Sequence, residues 1–170
     1  MLDTKVKRIL LPVEGAPTDE ESLRLACSLA KTDHAEILML YVIEVKRTLP
    51  IDADLGADLE RGERVLDNLY RLAEKMKCRV QTELLQAREA GSTIVGEAIE
   101  HKSDLIVMGV PYQEKFGDFC VESRAMHVLE HAPCRVLLTR EPLKNGHHLH
   151  SDTGGYQHTD LRGPDHSASR

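Results

Sequence analysis

The chain has 170 residues and a formal net charge of −6, with a sequence pI near 5.8. This length fits one domain that buries a core without disulfide or metal staples, and the acidic balance excludes a general attraction to nucleic-acid backbones. No apolar stretch approaches the ~20 residues of a membrane helix, and the N-terminus lacks the features of a secretory signal, so we expect a soluble, cytoplasmic protein with no nucleic-acid or membrane partner.

The first elements are a strand, a helix and a second strand. An apolar run of strand length covers residues 9–13. Thr18 and Glu21 then have the spacing of a capping box, which predicts that a helix begins with Thr18 as its N-cap. The predicted buried stripe of that helix contains Leu23, Ala26, Cys27 and Ala30. A second apolar strand is predicted over residues 37–43.

The middle of the chain predicts two helices around a third strand. From Asp52, small and apolar residues recur at spacings of three and four: Leu55, Leu59, Gly62, Leu66, Leu69, Ala73 and Met76. Three heptads also suggest a coiled coil, but the glycine gap and the neighbouring strands favour a helix packed on a sheet. Residues 79–85 predict the third strand, and Gly91 and Ser92 open a helix whose apolar face holds Ile94, Val95, Ala98 and Ile99.

The last part of the domain predicts a strand, a loop, a helix and a strand in one run. Residues 105–108 are continuously apolar and end at Gly109, as in a parallel strand covered on both faces. A helix over residues 122–131 places Ala125, Met126, Val128 and Leu129 on one side, and the final strand is Arg135–Arg140. Strand and helix therefore alternate throughout, which predicts a doubly wound α/β fold with a five-stranded parallel sheet.

Two segments resemble the universal stress protein family. Residues 9–15, ILLPVEG, resemble the family's first strand, which usually ends Val-Asp-Gly-Ser. Nucleotide-binding members carry Gly-x2-Gly-x9-Gly-Ser between the fourth strand and the fourth helix, and the matching positions here are Gly109, Tyr112, Glu122 and Ser123. The resemblance covers residues 7–140. It implies a Rossmann-like, adenine nucleotide alpha hydrolase-like fold with strand order 3-2-1-4-5.

The resemblance also implies where a ligand binds. In doubly wound sheets the ligand site lies at the carboxyl ends of the strands where the strand order reverses, here between the first and fourth strands. The positions that match the binding residues of relatives are Pro12, Val13, Glu14, Val42, Met108, Gly109 and Ser123. Glu14 is either an acceptor for a ribose hydroxyl or a solvated turn residue. Ser123 either contacts phosphate or caps the last helix.

Glu122 argues against a bound phosphate. A carboxylate there occupies a helix N-terminus, the position whose partial positive charge attracts phosphate. Two unit charges about 5 Å apart at an effective dielectric near 20 repel by roughly 3 kcal/mol, which lowers affinity by about two decades. Tyr112 adds bulk where the family has glycine. We therefore expect a degenerate pocket with no or weak ATP binding and no cofactor; the alternative is a switch that binds AMP or ATP.

The expected activity is regulatory rather than catalytic. No serine or cysteine lies in a nucleophile elbow. The turn after the first strand is neither the Ser-Gly-Gly loop of an ATP pyrophosphatase nor the acidic pair of a receiver domain. The resemblance implies a stress-response module with no catalytic residues, an unidentified protein partner, and a homodimer formed by antiparallel pairing of Arg135–Arg140 at the sheet edge.

The end of the chain has a different composition. The domain is predicted to span residues 1–142, and residues 143–170 to form a disordered tail rich in His and Gly. Irregular spacing favours adventitious metal binding over a built site at its histidines, His147, His148, His150, His158 and His166. His127 and His131 lie four residues apart on the last helix without a third ligand nearby in sequence, so no metal site is predicted. The four widely spaced cysteines favour free thiols in a reducing compartment.

Overall fold

The computed structural model describes residues 5–115 and 118–142, with side chains described outside residues 113–120. The predicted disordered tail, residues 143–170, lies outside the described residues. The elements in chain order are β1 (Arg8–Val13), α1 (Pro17–Asp33), β2 (Glu36–Glu44), α2 (Gly56–Lys75), β3 (Val80–Ala87), α3 (Ala90–Glu100), β4 (Leu105–Val110), β5 (Gln113–Lys115), β6 (Asp118–Cys120), α4 (Ser123–His131) and β7 (Arg135–Arg140).

Five parallel strands form the main sheet in the order β3-β2-β1-β4-β7. This order is the 3-2-1-4-5 arrangement that the family resemblance implies, because β7 is the fifth strand of the sheet. At the centre, Ile9 of β1 pairs with Ile37 of β2 on one side and Leu105 of β4 on the other. The direction of winding therefore reverses between β1 and β4, which confirms the predicted fold class and its switch point.

Helices cover both faces of the sheet. Ile9 and Leu11 face the core beneath α1 and α2, whereas Leu10 faces the core beneath α3 and α4. Successive side chains of a strand point to opposite faces, so a strand with both faces buried needs apolar residues at every position. This explains the unbroken apolar runs in β1 and β4. None of the described helices is long and apolar enough to cross a membrane.

The helix α2 packs on the sheet, as the glycine gap predicts. A Cβ atom on Gly62 would lie 2.7 Å from Leu84 Cδ1 and 2.9 Å from Tyr41 Cδ1. A side chain at this position would require Leu84 and Tyr41 to shift or the helix to move away from β2 and β3. The helix begins at Gly56, four residues after Asp52, where the periodic pattern starts.

The predicted start of α1 is wrong. The N-cap is Ala16, and Pro17 occupies the first helical turn. Proline is tolerated there because N–H groups of the first turn have no acceptor within the helix, so the N–H that proline lacks is not needed. Thr18 therefore lies inside the helix and is buried. Asp19, rather than Glu21, reaches back: its Oδ2 atom accepts a hydrogen bond from the amide of Ala16 at 3.0 Å.

Three apolar side chains that the pattern places in the core are exposed. The exposed fractions are 60% for Ile99, 42% for Met126 and 46% for Leu129. In α4 the buried residues are Ala125 and Val128, which lie three positions apart on one side of the helix. Met126 and Leu129 follow them directly, and each is therefore rotated by about 100° around the helix axis, away from the sheet. The buried stripe is therefore narrower than the apolar stripe in the sequence.

A short antiparallel hairpin, β5 with β6, lies in the segment that was predicted to be a loop. Gln113 pairs with Cys120, and Lys115 with Asp118. Strands of three residues with mixed polarity carry no apolar alternation, which is why the sequence pattern did not predict them. The hairpin lies between β4 and α4 in the chain, the segment that contains the predicted loop motif.

Candidate functional site

A small cavity lies at the carboxyl ends of β1, β2 and β4, at the switch point of the sheet. Six of the seven predicted site residues line it: Pro12, Val13, Glu14, Val42, Met108 and Gly109. The other lining residues are Asp19, Leu40, Ala90, Ile94 and Arg124, which the sequence pattern did not single out as ligand contacts. The free volume is about 10 Å³, close to the space that a single water molecule needs.

Arg124 bridges the cavity from one wall to the other. It lies in the first turn of α4, and its Nη2 atom donates to Oε2 of Glu14, the residue that follows β1. The same Nη2 atom lies 3.2 Å from Oε2 of Glu122. The side chain of Arg124 is 23% exposed, and those of Glu14 and Glu122 are 30% and 28% exposed. One guanidinium thus holds two carboxylates together at the position where a ligand would enter.

The ion pairs change the electrostatic role expected for Glu122. Its carboxylate does not stand alone at the helix N-terminus, because it shares Arg124 with Glu14. Two carboxylates and one guanidinium leave a formal charge of −1, so the group still opposes an anionic ligand, but less strongly than two unpaired acids would. Arg124 adds a physical obstruction that the sequence pattern did not predict, since nothing in the local sequence shows that α4 faces the end of β1.

Asp19 holds the turn that carries Glu14. Its buried Oδ2 atom accepts hydrogen bonds from the amides of Glu14 at 3.0 Å, Gly15 at 2.7 Å and Ala16 at 3.0 Å. Gly15 has a φ angle of 86°, which only glycine adopts without strain. Burial raises the pKa of Asp19, while the three amide hydrogen bonds lower it. Asp19 therefore fixes the backbone conformation of the turn from which the Glu14 side chain extends.

Gly109 is required by the packing of α1. A Cβ atom at this position would lie 2.7 Å from Thr18 Oγ1 and 3.0 Å from Ser22 Oγ. Ser22 Oγ in turn lies 2.6 Å from Oγ1 of Thr139 in β7, a hydrogen-bonding distance. The helix thus approaches β4 closely only because position 109 has no side chain. A contact between Gly109 and a ligand stays a prediction.

Ser123 and Tyr112, two other positions of the predicted loop motif, do not line the cavity. Ser123 is the first residue of α4 but does not line the cavity, and the N-cap is Glu122. Of the two alternatives for Ser123, capping of the helix is therefore wrong, and a contact with phosphate stays a prediction. Tyr112 lies beneath the guanidinium of Arg140, whose Cζ atom is 5.6 Å from the ring centre. This is within the range of a cation–π contact, and it ties the segment after β4 to the end of β7.

Cys27 and Cys134 are poor nucleophiles. Burial, together with a hydrogen bond to Cys78, raises the pKa of Cys27 to about 12. Burial also raises the pKa of Cys134, which packs against the core beneath α3 and α4. A thiol with a raised pKa is protonated at neutral pH and does not attack an electrophile. Cys27, Cys78 and Cys134 are free thiols with a packing role.

His127 and His131 make local contacts on α4. Their rings stack with centroids 4.3 Å apart, and Nδ1 of His131 lies 2.9 Å from the carbonyl oxygen of His127. His127 also packs on α3, because a Cβ atom on Gly91 would lie 2.9 Å from its Cβ. These contacts account for both histidines by packing and hydrogen bonding.

Comparison with known proteins decides the family. The family model described as the universal stress protein family matches residues 5–140. The chain belongs to the universal stress protein family. A universal stress protein of Methanocaldococcus jannaschii is 30% identical to it over 144 residues, which cover 81% of this chain and 84% of that protein.

Solved structures of universal stress proteins have the same fold. A structure from Archaeoglobus fulgidus has a TM-score of 0.68 and 21% identity, covering 78% of this chain and 97% of that one. A structure of the Archaeoglobus fulgidus protein in complex with dAMP has a TM-score of 0.63 and 19% identity, covering 78% and 96%. A further universal stress protein structure holds cAMP, and one from Arabidopsis thaliana holds AMP. At such identities these structures establish the fold.

Proposed function

We propose that this universal stress protein is a non-catalytic regulatory module whose nucleotide crevice is occupied by its own Arg124. The observation that supports this proposal is the ion pair between Arg124 and Glu14, which both line a cavity of about 10 Å³. Arg124 also pairs with Glu122. Pockets for small ligands usually enclose about 300–1,000 Å³. A nucleoside therefore requires that the Arg124 side chain leave its place.

Displacing Arg124 costs binding free energy in two ways. Its hydrogen bonds to Glu14 and Glu122 break, and at a partly exposed site this loss amounts to roughly 1–2 kcal/mol in total. The two carboxylates would then face the ligand without a counter-charge. A nucleotide phosphate meets repulsion at this point, which supports weak or absent ATP binding and a protein that works without a cofactor.

The absence of catalysis is part of the proposal. The charged side chains that line the cavity are Glu14, Asp19 and Arg124. Glu14 and Arg124 pair with each other, and Asp19 is committed to three backbone amides. None of these groups is placed to transfer a proton to a ligand without first losing its structural partner. We therefore assign the protein a binding role toward a protein partner in a stress response.

The alternative is a nucleotide-dependent switch. It is favoured by the dAMP, cAMP and AMP complexes of proteins with this fold. In such a switch Arg124 would turn from Glu14 toward a phosphate, and Glu14 would become free to accept a hydrogen bond from a ribose hydroxyl. AMP or ATP would then replace the internal ion pair, and the two states would differ at the start of α4.

Isothermal titration of the full chain with ATP and AMP tests the proposal. We expect no binding at micromolar concentrations, and no nucleotide in the mass spectrum of the purified protein. The universal stress protein from Archaeoglobus fulgidus whose structure holds dAMP, titrated with dAMP, serves as the positive control. Micromolar or tighter binding of ATP or AMP would overturn the non-binding proposal in favour of the switch.

We also propose a homodimer through antiparallel pairing of β7, in the cytoplasm. Support comes from the position of β7 at the edge of the sheet and from Leu137, which is 36% exposed there. An apolar edge strand offers unpaired backbone groups to a second copy. The free thiols Cys27, Cys78 and Cys134 fit a reducing compartment.

Light scattering on the full chain tests the dimer. We expect about twice the 19.1 kDa monomer mass, and a monomer for Leu137→Asp because a charge then lies in the paired edge. Leu49→Asp places the same charge at another exposed leucine, 40% accessible, and should leave the dimer intact. A monomeric wild-type protein would contradict the dimer.

A further inference from the structure

Glu83, Glu97 and His101 form a cluster away from the nucleotide crevice. One oxygen or nitrogen atom from each side chain lies within 4.8 Å of the other two, and no other group of three His, Cys, Asp or Glu residues does so in the described part of the chain. The crevice is lined by Ala90 and Ile94 in the first half of α3. The cluster lies at the opposite end of the same helix.

The fold brings these three side chains together for simple reasons. Glu97 and His101 are four residues apart at the end of α3, so they lie on the same side of the helix. Glu83 lies in β3, two positions before Leu85. Leu85 packs against the core beneath α3, and residues two apart in a strand share a face. Glu83 therefore points toward α3 from the sheet.

The separations match those between the ligands of a metal ion. His101 Nε2 lies 3.5 Å from Glu83 Oε2 and 3.2 Å from Glu97 Oε2. Ligands bound to Zn²⁺ at about 2.0–2.1 Å in a tetrahedron lie roughly 3.3 Å from one another. The oxygen atoms of Glu83 and Glu97 lie within 4.8 Å of each other, so an ion among the three atoms would draw these two carboxylates toward it.

The charges of the cluster favour a cation. The carboxylates of Glu83 and Glu97 lie within 4.8 Å of each other, and their side chains are 33% and 15% exposed, respectively. Among the described residues no Lys or Arg forms an ion pair with Glu83 or Glu97. Arg8 approaches the cluster but donates to the backbone oxygen of His101 at 3.3 Å. With a neutral imidazole the two ligating carboxylates lack a counter-charge.

We propose that Glu83, Glu97 and His101 bind one divalent transition-metal ion, with Zn²⁺ preferred over Mg²⁺. One imidazole and two carboxylates suit zinc and its neighbours, whereas Mg²⁺ prefers oxygen ligands alone. Three protein ligands leave a fourth position for water. The ion would link β3, at the edge of the sheet, to the end of α3, and so add a bond between two elements that meet by side-chain packing.

The test titrates Zn²⁺ into the full chain by calorimetry at pH 7.5. We expect adventitious zinc binding by histidines in residues 143–170. The measurements therefore use a full-length background in which serine replaces the tail histidines, His147, His148, His150, His158 and His166. We expect one ion per chain in this background. Glu97→Gln keeps the shape of the side chain and should weaken zinc binding at least tenfold, and His101→Gln should do the same.

Glu100→Gln is the matched control. It removes a carboxylate from the same helical turn, outside the ligand set, and should change zinc affinity less than twofold. Co²⁺ gives a second reading, because a four-coordinate site absorbs strongly in the visible range and Glu97→Gln should abolish that absorption. Equal zinc affinities for Glu97→Gln and Glu100→Gln, with both proteins folded by circular dichroism, would refute the site and leave the cluster as a hydrogen-bonded His and two acids.

Discussion

Arg124 donates a hydrogen bond to the carboxylate of Glu14, which lies 110 residues earlier in the chain. The contact joins the first turn of α4 to the turn after β1, the two sides of the crevice at the switch point. A ligand at this point of a doubly wound sheet lies between these two elements. The protein thus places its own cation where a ligand would otherwise separate them.

Replacing Arg124 by Ala distinguishes a self-occupied crevice from a nucleotide switch. If Arg124 obstructs the site, Arg124→Ala should bind adenosine about tenfold more tightly than the wild type, because roughly 1–2 kcal/mol of internal hydrogen bonding is no longer lost. Calorimetry measures the affinities of the wild type and of Arg124→Ala for adenosine and for ATP. Arg64→Ala is the control, since Arg64 forms an exposed pair with Glu60 on α2. If the wild type binds ATP and the Arg124→Ala variant does not, the result would instead support the switch.

Gly109→Ala should destabilise the fold by about 1–3 kcal/mol, the usual cost of overpacking a core. The added methyl group would lie 2.7 Å from Thr18 Oγ1, so α1 must move away from β4. Urea denaturation measures the change in the free energy of unfolding. Gly96→Ala is the matched control: it meets no atom within 4 Å and lies in α3. That change should stabilise the protein by up to ~1 kcal/mol through helix propensity. Equal stabilities for the two variants would contradict the close approach.

Asp19→Ala should lower the free energy of unfolding by about 2 kcal/mol, since three amides lose their acceptor in a buried turn. Asp19→Asn keeps an acceptor oxygen and should cost less. Glu21→Ala provides the comparison, because Glu21 is the partner in the capping box that the sequence pattern predicted. Its replacement should change stability by no more than about 0.5 kcal/mol. A larger loss for Glu21→Ala than for Asp19→Ala would show that the helix starts differently.

Glu97 should make stability depend on pH in a defined direction. Its pKa is raised above 4.5 in the folded protein, chiefly by burial. A raised folded pKa favours folding fully below the unfolded pKa, and this contribution is lost as pH rises through the folded pKa. Glu97→Gln removes the ionisation. In a chelator it should therefore match the wild type near pH 4 and be more stable at pH 7, by at least roughly 0.2–0.5 kcal/mol, because relief of the like-charge contacts adds to relief of the burial cost. A wild type that is the more stable of the two at pH 7 in chelator would contradict this.

Much of the fold was predictable because burial on two faces leaves a strong pattern. The continuous apolar runs of β1 and β4 identified the central strands, and the spacing around Gly62 identified a helix packed on the sheet. The width of each buried stripe was less predictable. Ile99 and Met126 continue an apolar pattern in the sequence, but the short helices α3 and α4 turn them outward. Local periodicity defines a helix face without showing how much of that face the sheet covers.

The candidate site was only partly predictable. Six of the seven residues inferred from the family resemblance line the cavity, because strand ends fall at fixed places in this fold. Asp19 and Arg124 were missed. Asp19 was overlooked because Thr18 offered a more familiar cap, and Pro17 just before it was the available signal for an earlier helix start. The contact of Arg124 with Glu14 depends on the tertiary packing of α4 against the end of β1, and no local spacing of residues predicts that packing.

The hairpin of β5 and β6 has a consequence for anion capture. Loops that wrap phosphate do so with backbone amides that are free to point inward. In this chain Gln113, Glu114 and Lys115 pair with Cys120, Phe119 and Asp118 in an antiparallel ladder. In such a ladder every second amide donates to the facing strand, and a phosphate cannot use that amide while the strands stay paired. The hairpin therefore offers an arriving polyphosphate fewer backbone donors than a loop of the same length.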